Sequence, residues 1–280
     1  MTTPPDPDHT PLFDVDAPVP LTPVERLLAL ADLYTQHNDR IDLLFAGRAS
    51  HDPDAYVSSA RRLERETLAS IKAVRQQRLP AIEPVTSAVV RLKQIAYLTS
   101  GATRYLTAAQ QALPEGDAEP ARPDPRRGLG QYLRLARELT ALAPAAVVES
   151  TTHIAARLPE RARSNTTVPG MDATQRGTLL EVARGHVIVT EQYGQRGYGH
   201  TVTVDIDVLR HLEDQNLVTR EPASAPPFFP GGPLRDRVRL TSLGLSVLST
   251  VINSPLHLGL AAARPVPAPA AAATTTRVRR

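Results

Sequence analysis

The chain has 280 residues, among them 26 Pro and 15 Gly, with no Cys, no Trp and an aromatic content of only 4%. The absence of cysteine excludes disulfides, thiolate catalysis, Cys-based zinc sites and Fe–S clusters, and so few rings leave the core to Ala, Leu and Val. The formal charge is +3; Arg greatly outnumbers Lys, so the basic groups stay charged at any relevant pH and point weakly to an acidic partner.

Residues 1–20 carry repeated Pro and Asp without periodicity, and they read as disordered, with no apolar stretch of the kind a secretory signal needs. The longest uncharged apolar run, 139–148, is interrupted by Pro144 and stops at Glu149, far short of a bilayer span. These features predict a soluble, cytoplasmic protein with no membrane contact.

Order is expected to begin at Thr22-Pro23-Val24-Glu25. Thr22 is placed to cap, Pro23 suits the first helical position, and Glu25 sits where a capping-box carboxylate reaches back. Val24, Leu27, Leu28, Ala31, Tyr34, Ile41 and Leu44 then form one face of a helix ending near Gly47. A second helix is predicted over 54–78, with Tyr56, Ala60, Leu63, Thr67, Ile71 and Val74 as its seam. Its opposite face, with Arg61, Arg62, Glu64, Arg65 and Glu66, reads as a solvated surface laced with i,i+4 ion pairs.

The third predicted helix, 84–113, has the clearest periodicity. Val85, Ala88, Leu92, Ile95, Thr99, Ala102, Leu106, Ala109 and Leu113 fall on a single stripe, the pattern of coiled-coil or bundle packing. An intramolecular bundle is the reading adopted, and a homodimer through this stripe stays open. A flexible connection at 114–127 leads to a fourth helical stretch at 129–158, where Pro144 demands a kink or break. The whole gives a mainly α chain: an antiparallel helical bundle over 21–163, a linker at 164–171, an α+β domain over 172–253, and a disordered Pro/Ala-rich tail over 254–280.

From Asp172 the character changes. Asp172 opens a short helix through Leu179, Leu180 and Val182 that Gly185 closes, and 186–190 is dense in β-branched residues and reads as a strand. The stretch 193–199 reads as Gly-rich turn, 201–203 as a short strand, and 205–215 as a helix with Ile206, Val208, Leu209 and Leu212 inward. A strand at 217–219, a Pro-rich loop over 221–234, a returning strand at 237–240 and a helix capped by Thr241 complete the module.

Helix, strand, helix, strand, loop, strand, helix is the order of a winged helix. Asn216-Leu217-Val218 followed by Leu240-Thr241-Ser242-Leu243-Gly244 resembles the closing part of MarR- and PadR-like regulators, over about 80 of the 280 residues. The resemblance implies a winged-helix domain, a recognition helix starting at Asp205, and transcription regulation through DNA. Two departures stand out. A Gly-rich segment replaces the usual short second helix, and the recognition-helix candidate carries Asp205, Asp207, Glu213 and Asp214 against Arg210 and His211.

No metal-binding His spacing, phosphate loop or nucleophile elbow is present, so no catalytic residue, metal or cofactor is expected and the chain does not read as an enzyme. Two functional readings remain. In one, a regulator contacts double-stranded DNA through Arg196, His200, Thr201, Thr203, Arg210 and His211, with Arg235, Arg237 and Arg239 alternating on one face of the last strand. The bundle then dimerises or senses. In the other, the same module docks on a protein through Phe228-Phe229, an apolar pair flanked by prolines.

Overall fold

A computed structural model describes residues 21–49, 52–111, 125–159, 170–192, 195–198 and 204–252, with 125–128, 191–192 and 195–198 as backbone only. The readings for 1–20, 114–124, 254–280 and most of the 164–171 linker lie outside the described residues. In chain order come α1 (Pro23–Phe45), α2 (Pro53–Gln76), α3 (Val85–Gln111), α4 (Pro125–Thr140), α5 (Ala143–Ala155) and α6 (Ala173–Ala183). There follow β1 (Ile188–Gln192), β2 (Gln195–Tyr198), α7 (Ile206–Asp214), β3 (Val218–Ala225), β4 (Arg235–Leu240) and α8 (Ser242–Val251). The protein is mainly helical, with one small antiparallel sheet in the order β2-β1-β4-β3. Among the described residues, no helix is long and apolar enough to cross a membrane.

Local chemistry places most helix ends. Thr22 and Glu25 form a reciprocal capping box at α1, and Asp172 and Gln175 do the same at α6. Pro144 lacks an N–H and sits in the first turn of α5, so the predicted fourth helix is two helices. The eight described stripe residues of α3, from Val85 to Ala109, are all buried, against α2, α4 and α5 of the same chain.

Two strands differ from their predicted extents. β1 pairs with the chain that follows it almost at once, Val189 opposite Tyr198 and Gln192 opposite Gln195, so the Gly-rich stretch itself supplies the neighbouring strand. A partner so close in sequence closes a smaller loop than one drawn from 201–203, which lie outside the described residues. β3 continues to Ala225 because β4 pairs with it as far as Arg235, across a register shift between Glu221 and Ala225. The predicted loop is therefore shorter than 221–234.

The two halves do not have separate cores. One apolar cluster joins Leu27, Leu28 and Tyr34 of α1 to Leu63, Leu92 and Val147, and also to Leu179, Leu209, Val238 and Leu248 from beyond residue 172. The reason lies in α1. Its apolar face was legible, but Glu25, Thr35, His37, Asn38 and Asp39 are buried too, so the helix is covered on nearly every side. Thr35 Oγ1 donates to the Ala31 carbonyl of α1 itself, whereas the other polar groups, with the Tyr34 hydroxyl, reach other elements. Tyr34 Oη lies 2.8 Å from Thr67 Oγ1 on α2 and 2.5 Å from Thr99 Oγ1 on α3. Asn38 Nδ2 donates to the Thr140 carbonyl on α4 at 3.0 Å, and Ser246 Oγ on α8 donates to Glu25 Oε1 at 2.6 Å. Such pairings answer the cost of burying polar atoms.

The Asn-Leu-Val and Leu-Thr-Ser-Leu-Gly stretches lie against each other. Asn216 takes the left-handed conformation (φ 57°) after α7, and Thr241 Oγ1 donates to its carbonyl at 2.6 Å while capping Gly244 N–H at 2.9 Å. Gly244 approaches so closely that a Cβ there would lie 1.9 Å from the Leu217 carbonyl oxygen. A Gly244→Ala variant should therefore lose about 3 kcal/mol in chemical denaturation; a loss of a few tenths would mean that the contact is looser than described.

His37 generates a second prediction. Its Nδ1 lies 3.0 Å from Ser59 Oγ on α2. Burial, reinforced by the charges of Arg40 and Arg137, pushes its pKa down from 6.5 to about 4. The folded state thus binds this proton less readily than the unfolded chain. The stability is complete above pH 6.5 and is lost as pH falls towards about 4, by about 3 kcal/mol. Denaturation measured at both ends of that interval should show this loss in the wild type and not in His37→Asn or His37→Leu. Equal acid sensitivity in all three proteins would reject the assignment.

Candidate functional site

Asp205 caps α7 by accepting the Asp207 N–H at 2.8 Å, and the helix buries Leu209 and Leu212. Its outward residues are Asp207, Arg210, His211 and Asp214. Arg210 Nη1 donates to Asp207 Oδ1 at 3.1 Å, an exposed pair of little energetic weight. His211 Nε2 lies 2.9 Å from Gln215 Nε2. Glu213 is held by a guanidinium fork from Arg220 on β3, with bonds of 2.7 to 3.2 Å. The surface of α7 is thus acidic, and its one arginine is already paired.

The row Arg235, Arg237 and Arg239 does share one face of β4, but that face is turned onto α1. Arg237 Nε donates to Asp39 Oδ2 at 2.8 Å and its Nη2 to Asp39 Oδ1, while Nη1 donates to the Gly185 carbonyl. The side chains of Arg237 and Asp39 are only 6% and 5% exposed. Arg239, 10% exposed, pairs with Asp32 at 2.7 Å and with Glu221. Arg235 Nε donates to the Pro226 carbonyl at 2.6 Å. The row expected to meet a phosphate backbone thus has its guanidiniums engaged within the chain. A guanidinium is buried at tolerable cost only beside a carboxylate, and α1 presents Asp32 and Asp39 two turns apart to receive Arg239 and Arg237. Burial raises the Asp39 carboxyl above its ordinary range, against the pull of Arg237 and then Arg239.

Of the other predicted contact residues, Arg196 lies on β2 opposite Glu191 in the strand register. His200, Thr201 and Thr203 lie outside the described residues. Only Arg210 and His211 are seen facing outward.

The loop from β3 to β4 presents Phe228 and Phe229, 61% and 53% exposed. Its tip is a defined turn. The Gly232 N–H donates to the Phe229 carbonyl at 3.0 Å, Pro230 follows Phe229, and Gly231 takes a φ of 79°. Proline at the second position and a left-handed glycine at the third are the requirements of a type II turn. The base of the loop is fixed by two further bonds, Ala223 N–H to Asp236 Oδ1 at 2.9 Å and Arg237 N–H to Ser224 Oγ at 3.2 Å. The rings are therefore held outward on a short, tied support.

Sequence reasoning missed Asp32 and Asp39. Their spacing of seven residues puts both on one helix stripe, a signal that only a known partner strand makes readable. Comparison of the chain with family models, curated proteins and solved structures gave no match.

Removing Arg237 while leaving Asp39 buried should be far worse than removing both. Arg237→Met is expected to cost about 3–5 kcal/mol, and Asp39→Leu with Arg237→Met to recover most of that. A double-mutant cycle by urea denaturation measures the difference; additive losses would show that the two groups do not interact.

Proposed function

We propose that residues 172–252 form a winged helix used as a non-catalytic protein–protein interaction module, with α1–α5 as its scaffold. The order α6, β1, β2, α7, β3, β4, α8 supports the winged-helix reading, with β3, β4 and their loop as the wing. One observation carries the choice of partner class. The arginines of β3 and β4 are engaged within the chain, Arg237 and Arg239 on α1, Arg220 on α7 and Arg235 on the Pro226 carbonyl, and the loop between the strands presents two phenylalanines.

A wing that reads DNA works by neutralising phosphates, and the cations suited to that task are engaged within the chain. Exposed aromatic rings on a tied turn suit a protein pocket instead: they bring large apolar area and lose little conformational entropy on binding. The acidic surface of α7 beside the wing favours a partner with basic residues around an apolar pocket. Regulation of transcription is retained as the role of such a contact only where the partner is itself a DNA-bound protein or where another face of the chain binds nucleic acid.

A photoreactive phenylalanine analogue at position 229, installed in the full chain in its native cells, should cross-link to one discrete protein. The same analogue at the exposed Ser242 of α8 should not, and Phe228→Ser should suppress the adduct. Identical adducts from both positions, or none from 229, would overturn the reading.

A further inference from the structure

The exposed face of α2 was expected to be a solvated surface of compensating ion pairs, and the structure shows something else. Arg61, Arg65, Lys72 and Arg75 recur at i, i+4, i+11 and i+14, which places them on one stripe of the helix. All four are exposed, and none of their side chains has an ion pair or hydrogen bond among the described residues. The helix and its first following turn hold six basic residues (Arg61, Arg62, Arg65, Lys72, Arg75, Arg78) against three acidic ones (Asp54, Glu64, Glu66). Glu66 is taken by Arg26 of α1 at 3.1 Å, Asp54 is bonded by Gln110 of α3, and Glu64 is half-buried. Arg61 and Arg65 at i,i+4, and Lys72 and Arg75 at i,i+3, are like charges stacked on successive turns, an arrangement that weakens a helix. Folding alone gives no reason for it.

A second feature adjoins the stripe. Arg62 of α2 and Arg40 of α1 flank a cleft of about 300 Å³ between the two helices, whose polar lining is completed by Gln36, Ser58 and Ser59. Both guanidiniums are exposed and make no ion pair among the described residues. Gln36 Nε2 already donates to Asp32 at 2.7 Å and Ser59 Oγ lies 3.0 Å from His37 Nδ1, which leaves the two guanidiniums and the Ser58 hydroxyl as the donors this margin offers a phosphate group.

We propose that the exposed face of α2, with the Arg40/Arg62 cleft at its margin, binds the phosphate backbone of a nucleic-acid duplex. The stripe from Arg61 to Arg75 is about 21 Å long at ~1.5 Å per residue, a length that spans about six base-pair steps of a duplex measured along its axis at ~3.4 Å each. Arg and Lys contacts to phosphate position a protein without reading bases, so this binding is independent of sequence. Single strands are less suited: they are gripped by exposed aromatic platforms, and the one aromatic ring of α2, Tyr56, is buried. A bilayer surface is less suited as well, because a helix lying in it needs a free apolar face. The apolar face of α2 is in the core, and of its large apolar side chains only Leu68 is exposed.

Fluorescence anisotropy of the full chain with short random-sequence duplexes of DNA and of RNA tests this directly, with single-stranded DNA and anionic phosphatidylglycerol vesicles as further arms. Log affinity for a duplex should fall linearly with log salt, with a slope of about −3 or steeper, so that ~50 to ~200 mM salt weakens binding about a hundredfold. The variant Arg61→Gln/Arg65→Gln/Lys72→Gln/Arg75→Gln should lose that slope and bind at least about tenfold more weakly at low salt. Its melting temperature should be unchanged or raised, because like-charge repulsion is removed. Replacing the three arginines by Lys should restore most of the slope. Equal slopes on DNA and RNA support recognition of duplex phosphates in general, and a preference for one names the source. The inference is overturned by no salt-dependent binding at low salt, by a glutamine variant that binds like the wild type, or by vesicles or single strands outcompeting duplexes. None of these readouts involves Phe228 or Phe229, so the protein-docking role of the wing stands or falls separately.

Discussion

Asp39 on the first helix and Arg237 on the last strand meet across 198 residues of chain, and most of what distinguishes this fold follows from that meeting. Two charges withdrawn from water are costly unless their geometry is good and their remaining atoms are satisfied. Here the fork is closed on one carboxylate, and the outer nitrogen of the guanidinium is used by the Gly185 carbonyl at the end of α6. The pair therefore ties α1, α6 and β4 at one point. Arg239 and Asp32 repeat the connection two helical turns away, which sets the direction of the strand along the helix. With the arginines of β4 anchored on α1 and with β3 and α8 packed against that helix, the apolar cluster runs through both halves of the chain.

The same helix organises the other side of the molecule. Tyr34, His37 and Asn38 lie within about one turn of the helix, and each reaches different partners: Thr67 and Thr99, Ser59, and Thr140. Apolar contacts are non-directional, and a bundle of Ala, Leu and Val would tolerate several registers of its helices. A buried hydroxyl or amide does not, because sliding one helix by a turn leaves it without its partner at a cost of about 1–3 kcal/mol. The polar residues of α1 thus select one arrangement where the small apolar residues supply only the cohesion.

This interior use of charge shapes the surface. The carboxylates and guanidiniums that join the two halves are withdrawn from solvent, which leaves the wing apolar at its tip and α7 acidic. Among the described residues, the exposed face of α2 gathers cations whose side chains have no ion pair. The proposed protein-docking tip and the proposed phosphate-binding face lie on separate elements. The shared core makes the two surfaces parts of one body.

Local chemistry was enough to read the helices: the capping boxes at Thr22 and Asp172, the break at Pro144, the unbroken stripe of α3 and the Thr241 cap are all set by residues within a few positions of one another. The alternation of Arg235, Arg237 and Arg239 likewise determined that they share a face. Which way that face points was not determined, because a strand of alternating arginines serves equally well against phosphate or against buried carboxylates. Only the tertiary structure decided it, by bringing Asp32 and Asp39 from some 200 residues away. The same holds for the charged face of α2. Its spacing was in the sequence, but whether its arginines are neutralised depended on where the acids go: Asp32 and Asp39 of α1 are spent on Arg239 and Arg237, and Glu66 of α2 itself is taken by Arg26.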